Sequence, residues 1–87
     1  MEKYAYVYVL QSAIDRQFYV GFTSDLGARL QAHNRRLVPS TKKRTPLELV
    51  YWEGCLDQKD ATRREKYLKT AWGKRYIKSR LSSYLTG

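Results

Sequence analysis

The chain has 87 residues, 43% of them hydrophobic, and its 17 Lys plus Arg against 8 Asp plus Glu give a formal net charge of +9. That length holds one domain with one small core. One cysteine and one histidine exclude an intrachain disulfide framework or a Cys/His zinc site, and no apolar run approaches the roughly 20 residues of a membrane span. The positive surplus points to a polyanionic partner, nucleic acid first, because each phosphate contact releases counterions; the plainer reading is that it keeps the chain soluble. The start, MEKYAYVYVLQS, lacks the basic region, apolar block and cleavage site of a secretory signal, so a cytoplasmic protein is expected.

From Tyr4 to Leu10, aromatic and β-branched residues alternate, Tyr4, Tyr6, Tyr8 and Leu10 against Ala5, Val7 and Val9, which is the period of a strand. Ser12 to Gln17 supplies a polar turn. Phe18 to Phe22 resumes the alternation, Phe18, Val20 and Phe22 against Tyr19 and Gly21, so the two runs read as a hairpin with a loop of about five residues. Thr23 or Ser24 suits a helix N-cap, with Asp25 in the first turn. At about 100° per residue Leu26, Leu30, His33 and Leu37 form one stripe with Arg29 at its edge, and Gly27 weakens the helix slightly. Arg35 to Pro46, RRLVPSTKKRTP, has no periodicity and reads as a loop. Its Arg35, Arg36, Lys42, Lys43 and Arg44 either form a solvated surface or track a nucleic-acid backbone.

Leu47 to Cys55 reads as a third strand, with Leu47, Leu49 and Tyr51 against Val50 and Trp52, and Cys55 as a small core residue. Asp57 or Asp60 then caps a helix running to about Ala71, on which Ala61, Leu68 and Trp72 share a stripe. Glu65 falls inside that stripe, about 40° from Ala61, on a helix otherwise carrying Arg63, Arg64, Lys66 and Lys69. A carboxylate in that position needs a cation, a metal or a catalytic water. Gly73 interrupts the pattern, and a last helix from about Lys74 to Leu85 puts Ile77, Leu81 and Tyr84 on one face. The expected fold is α+β: a three-stranded antiparallel sheet flanked by helices in the order β-β-α-β-α-α, with residues 1–87 as one domain.

Tyr8 and Tyr19 on adjacent strands, Arg29 and His33 on the first helix and Glu65 on the second together suit phosphodiester hydrolysis. That reaction needs a nucleophilic water, a base, positive charge on the phosphate, and a metal or acid for the leaving oxygen. A tyrosine near pKa 10 is a poor base, but positive neighbours lower that value and His33 can accept the phenol proton. Arg29 suits a phosphate clamp through its planar fork. Glu65 alone would hold a hard divalent ion weakly, consistent with Mg²⁺ that keeps most of its waters. The same residues also admit a plainer reading, in which the strand tyrosines are packing residues, His33 is structural, and Arg29 and Glu65 form a partly buried ion pair.

Tyr6-Val7-Tyr8, Phe18-Tyr19-Val20-Gly21, Thr23-Ser24-Asp25-Leu26 and Arg29-Leu30 with His33 resemble the signature of the GIY-YIG nuclease superfamily. Ser40-Thr41-Lys42, Arg44-Thr45-Pro46, Leu49-Val50-Tyr51 and Arg64-Glu65-Lys66 with Leu68-Lys69 resemble its small stand-alone bacterial branch, and the whole is similar to the GIY-YIG catalytic domain of the excision-repair endonuclease. The resemblance implies a β-β-α-β-α core with an added C-terminal helix and single-metal cleavage of DNA, RNA not being excluded. Structure-selective cutting in repair or recombination is the expected activity, with a protein partner to supply any sequence specificity. On this likeness Tyr8 is the general base or its close partner, Tyr19 a second active-site hydroxyl, Arg29 the holder of the scissile phosphate and His33 the assistant of the tyrosine. Glu65 ligates one Mg²⁺ or Mn²⁺, and Gly21 lets the backbone approach the site. Arg35, Arg36, Lys42, Lys43, Arg44 and Lys69 are expected to bind nucleic acid. The alternative is a nucleic-acid-binding module that keeps the scaffold and turns over little or nothing. Three residues depart from the family pattern: Tyr6 stands where the family has glycine, Val20 where it has isoleucine, and the helix after Glu65 lacks the usual asparagine, a space that Lys69 or Ser79 could fill.

Overall fold

In the computed structural model, which describes residues 3–87, strands β1 (Ala5–Ser12), β2 (Phe18–Thr23) and β3 (Leu47–Cys55) form one antiparallel sheet in the order β2-β1-β3. Helix α1 (Leu26–Asn34) lies between β2 and β3 in the chain, and α2 (Gln58–Leu68), α3 (Ala71–Arg80) and α4 (Ser82–Thr86) follow β3. This is the expected α+β fold, with the last helix divided in two. Among the described residues no helix is long and apolar enough to cross a membrane. Because β1 is the central strand, both of its faces are covered, and Val7, Tyr8, Val9 and Leu10 are each at most 2% exposed. The strand continues past Leu10 to Ser12, whose buried hydroxyl donates to the Arg44 carbonyl at 2.7 Å. The turn therefore starts at Ala13.

The alternation along β1 and β2 sorts the core into two halves. On one side Ala5, Val7, Val9 and Val20 pack with Ala61 and Leu68 of α2 and Ile77 of α3. On the other, Tyr8, Leu10 and Leu47 pack with Tyr19, Leu49 and the α1 leucines Leu26 and Leu30. Strand β3 breaks the simple period: Val9 pairs with Tyr51 but Leu10 pairs with Leu49, so Val50 is the extra residue of a bulge. Leu47 and Leu49 face the α1 side, whereas Val50 and Tyr51 both pack against the α2–α3 half. The expected grouping of Tyr51 with Leu47 and Leu49 is thereby corrected, because one inserted residue turns all later side chains to the opposite face. Cys55 packs half-buried on the α2–α3 half, where burial pushes its thiol up.

The helix ends also differ from the sequence reading. Asp25, not Thr23 or Ser24, caps α1, its carboxylate accepting from the Ala28 amide at 3.0 Å, while Thr23 Oγ1 accepts from the Asp25 amide. The helix stops at Asn34, closed by bonds from the Arg36 amide to the His33 carbonyl and from the Leu37 amide to the Ala32 carbonyl, with Arg36 at φ 63°. Leu37 consequently leaves the stripe and is 68% exposed, while Val38 is buried.

Asp57 caps α2. Its expected run to Ala71 fails at Thr70, whose hydroxyl donates to the Tyr67 carbonyl at 2.6 Å and accepts from the Gly73 amide at 3.2 Å, ending one helix and starting the next. Trp72 therefore belongs to α3 and is exposed, not part of the α2 stripe. Gly73 does not interrupt a helix: it is buried in the first turn of α3, where a β-carbon would overlap the Tyr67 carbonyl oxygen and Leu68 Cα. The interruption falls at Leu81, and on α4 the Tyr84 hydroxyl reaches Gln11 Oε1 at 3.0 Å and Glu48 Oε1 at 3.2 Å.

Gly73→Ala is expected to lower stability by about 3 kcal/mol, since the added carbon meets rigid backbone. Gly27→Ala, with only Asp25 Oδ1 at 3.8 Å from the new carbon, is expected to raise it by about 0.5–1 kcal/mol through helix propensity. Urea unfolding of the two variants beside the parent checks both signs.

Candidate active site

Tyr8 points from the central strand to the α1 side and lies over Gly21, its cross-strand partner in β2. A β-carbon at position 21 would overlap the Tyr8 Cζ and hydroxyl oxygen, so only glycine permits this approach. The hydroxyl is 2.9 Å from His33 Nε2 and accepts from Arg29 Nε at 3.3 Å. His33 Nδ1 in turn lies 2.7 Å from Thr41 Oγ1, and both His33 and Thr41 are fully buried. The Tyr19 ring is centred 6.4 Å from that of Tyr8 and 5.1 Å from that of His33, and its hydroxyl meets Ser40 Oγ at a weak 3.5 Å. Four of the five residues expected to do chemistry are thus in mutual contact under α1.

Donor counting orients the protons. Arg29 can only donate, so the Tyr8 oxygen accepts from it, and among the partners of Tyr8 only Nε2 can accept the phenol proton. His33 then donates from Nδ1 to Thr41 Oγ1, the tautomer that this network assigns. Burial raises the Tyr8 phenol above its ordinary 10.0, opposed by the Arg29 hydrogen bond, while Tyr19 and Glu65 add to the rise. Burial, and then the Arg29 charge, pull His33 down to about 4. At neutral pH the resting site therefore holds a neutral phenol, a neutral imidazole and one guanidinium.

Glu65 comes from α2, on the other half of the molecule. Its side chain is 21% exposed and ion-paired with Lys69 at 3.1 Å, one helical turn on. The partly buried Arg29–Glu65 pair is not formed: Glu65 pairs with Lys69, and Arg29 is hydrogen-bonded through Nε to Tyr8. Glu65 acts on Tyr8 through space. An i,i+4 pair with a half-exposed lysine is worth only a few tenths of a kcal/mol, so Lys69 holds Glu65 weakly. Among the described residues no group of three or more His, Cys, Asp or Glu side chains could cage a metal. A single, partly exposed, hard carboxylate oxygen fits an ion that keeps most of its waters, as Mg²⁺ does, and does not fit a fully protein-ligated zinc or calcium.

The basic residues divide by environment. Arg35, Lys42 and Lys43 are exposed. Arg36 Nε donates to Thr45 Oγ1 at 3.2 Å, Arg44 pairs with Asp15 at 3.2 Å, and Lys69 is held by Glu65. Buried Val38 and Thr41 pin the loop that carries most of them. Sequence reasoning passed over Thr41 as a functional residue, since a hydroxyl in an aperiodic basic loop gives no signal beyond its place in Ser40-Thr41-Lys42. Asn34 clamps the Leu47 backbone, donating to its carbonyl at 2.9 Å and accepting from its amide at 2.8 Å. Ser79 is exposed on α3, whereas Lys69 occupies the place beside Glu65.

The sheet order, the glycine under the tyrosine and the Tyr–His–Arg contact define the class of a GIY-YIG catalytic domain, and a family model of that description matches residues 4–80. The chain belongs to this nuclease family. It is 36% identical over 70 residues to a UPF0213 protein of Streptococcus pneumoniae serotype 4, covering 79% of this chain and 70% of that one. A UPF0213 protein of Clostridium perfringens is 38% identical over 65 residues, covering 74% and 69%. One from Streptococcus pyogenes serotype M5 is 43% identical over 60 residues, covering 68% and 63%. No solved structure matches.

Gly21→Ala is expected to push Tyr8 off His33 and Arg29 and to cost about 2–4 kcal/mol, read by urea unfolding together with loss of the near-ultraviolet tyrosine signal. His33 should remain neutral in NMR titration down to about pH 4. Its folded value lies below the free value of 6.5, so the unfolded chain binds more protons between the two. Stability from this group is complete above pH 6.5 and is lost as pH falls through about 4, by up to about 3 kcal/mol, a slope that His33→Gln should remove.

Proposed function

We propose that this protein is a metal-dependent DNA endonuclease that hydrolyses phosphodiester bonds in branched or flapped DNA of the kind formed in repair and recombination. The supporting observation is the buried hydrogen-bond chain Arg29–Tyr8–His33–Thr41, which aims a guanidinium and a proton-passing phenol at one point. Arg29 keeps Nε on Tyr8 and offers its remaining N–H groups to phosphate oxygens. An attacking water gives its proton to the Tyr8 oxygen as Tyr8 passes its own to Nε2.

In the resting site that transfer is unfavourable. Burial holds the Tyr8 phenol above its ordinary 10.0 and, with the Arg29 charge, holds His33 near 4, so a wide gap separates proton donor from acceptor. A bound phosphate lowers the gap, because it offsets the Arg29 charge that helps to depress His33 and places an anion beside the imidazolium that forms. Substrate thereby switches on its own base. Glu65 would hold the divalent ion general to the family, and such an ion, when bound, supplies charge stabilisation at the phosphoryl and leaving oxygens. Arg35, Lys42 and Lys43 would follow the backbone on either side.

A second reading, a nucleic-acid-binding module without turnover, is favoured by the Lys69 contact, which places a protein cation on the one candidate metal ligand. One assay separates the two. With labelled flapped DNA, and an RNA arm in parallel, Mg²⁺ or Mn²⁺ should support cleavage that EDTA stops, and Arg29→Ala and Glu65→Gln should each lose about 10²-fold or more. Glu65→Gln should leave apo stability within about 0.5 kcal/mol of the parent. Binding without cleavage under either metal, unchanged in Glu65→Gln, would establish the module instead.

A further inference from the structure

The first-motif residue that departs from the family, Tyr6, belongs to an aromatic group beyond the catalytic chain. Its ring lies against Gly54, its cross-strand partner, where an added β-carbon would approach it to 3.2 Å. Trp52 meets Tyr6 edge-on, with centroids 5.6 Å apart and planes at 72°, and Tyr4 flanks it at 6.4 Å. Tyr4 is 49% exposed and Trp52 52%. Two shallow hollows open between these rings. One, of about 240 Å³, is lined by Tyr4, Tyr6, Trp52 and Gly54; the other, of about 280 Å³, by Tyr6, Trp52 and Asp25, Leu26 and Gly27 at the start of α1.

Three features point to one occupant. Tyr6 and Tyr8 are two residues apart on β1 and share a face, about 7 Å along the strand, so the rings begin where the catalytic chain ends. Among the described residues lining the hollows there is no lysine or arginine, and the one charge is the Asp25 carboxylate, which repels a phosphate but tolerates an uncharged ring. The chain as a whole carries +9, so its natural partner is a polyanion whose phosphates have cationic sites elsewhere on the molecule. Nucleic acid supplies both parts, phosphates for the cations and flat bases for exposed rings.

We propose that Trp52 and Tyr6, with Tyr4, form a stacking platform for one or two unpaired bases next to the phosphate engaged by Arg29, so that the preferred substrate has a single-stranded segment beside the scissile bond. The position of that phosphate rests on the function proposed above; the base contact does not. A fully paired duplex keeps its bases stacked on one another and gains nothing from the platform.

The test is binding in EDTA, which removes cleavage from the readout. By fluorescence anisotropy at fixed salt, Trp52→Ala should weaken binding of a duplex with a single-stranded tail by about tenfold, and binding of a blunt duplex by less than about twofold, while Trp52→Phe keeps most of the affinity. In a Trp72→Phe background the emission of Trp52 should be quenched by single-stranded DNA. Equal losses on both DNAs, no loss on the tailed DNA, or unquenched emission would overturn the platform and leave the nuclease reading intact. So would a concentration-dependent dimer in sedimentation that Trp52→Ala dissolves, since a second copy would then be the occupant. Failure of the parent to bind any nucleic acid would remove both proposals. Matching circular dichroism and melting of the Trp52 variants show that the comparison is between folded proteins.

Discussion

Tyr8 crosses Gly21 so closely that no β-carbon fits between them, and the rest of the site is arranged by that overlap. The phenol sits on the central strand, which is buried on both faces, so its backbone cannot shift without disturbing the sheet. With the ring held against β2, the hydroxyl is fixed by two contacts from one helix: His33 and Arg29 stand one turn apart on α1 and reach the same oxygen. The capping of α1 by Asp25 and its closure at Arg36 set where that turn begins and ends. A glycine, a capped helix and a covered strand thus determine the position of one proton.

The two halves of the core divide the work. The α2–α3 side is occupied with structure: Ala61, Leu68 and Ile77 fill it, and Glu53 is satisfied by a forked ion pair with Arg64 at 2.7 and 3.3 Å and by the Tyr51 hydroxyl at 2.9 Å. Arg64 also stacks over Tyr76 and Tyr67, so this cation is engaged on three sides. The α1 side holds the titratable chain. Glu65 is the exception, an acid from the structural layer whose field reaches Tyr8 in the other. The bulge at Val50 sustains the division by turning Tyr51 toward Glu53 and Tyr76, while Trp52 remains with Tyr6.

Much of this was legible in the sequence because it depends on period. The two hairpin strands, the helix carrying Arg29 and His33, and the placement of Glu65 near an apolar stripe all follow from periods of 2 and 3.6. The likeness to a known family then assigned roles. What escaped depends on single contacts that leave no period. The bulge is one residue in nine, and nothing in LELVYWEGC marks Val50 as the extra one. Thr70 looks like any helix residue until its hydroxyl is seen to end α2 and begin α3. Gly73 reads as a breaker by propensity, yet it is there because two helices touch at its α-carbon. Thr41 was hidden for the same reason, and so was the exchange of partners by which Arg29 takes Tyr8 and Glu65 takes Lys69.

Thr41 is also the immediate neighbour of Lys42, and the loop carrying both closes on itself through bonds from the Thr41 amide to the Val38 carbonyl and from the Arg44 amide to the Thr41 carbonyl. Lys42 and Lys43 are therefore tethered, through one and two residues of backbone, to a buried hydroxyl that touches the imidazole. The exposed cations and the imidazole's hydroxyl partner thus share one short run of backbone, so neither can be repositioned without the other.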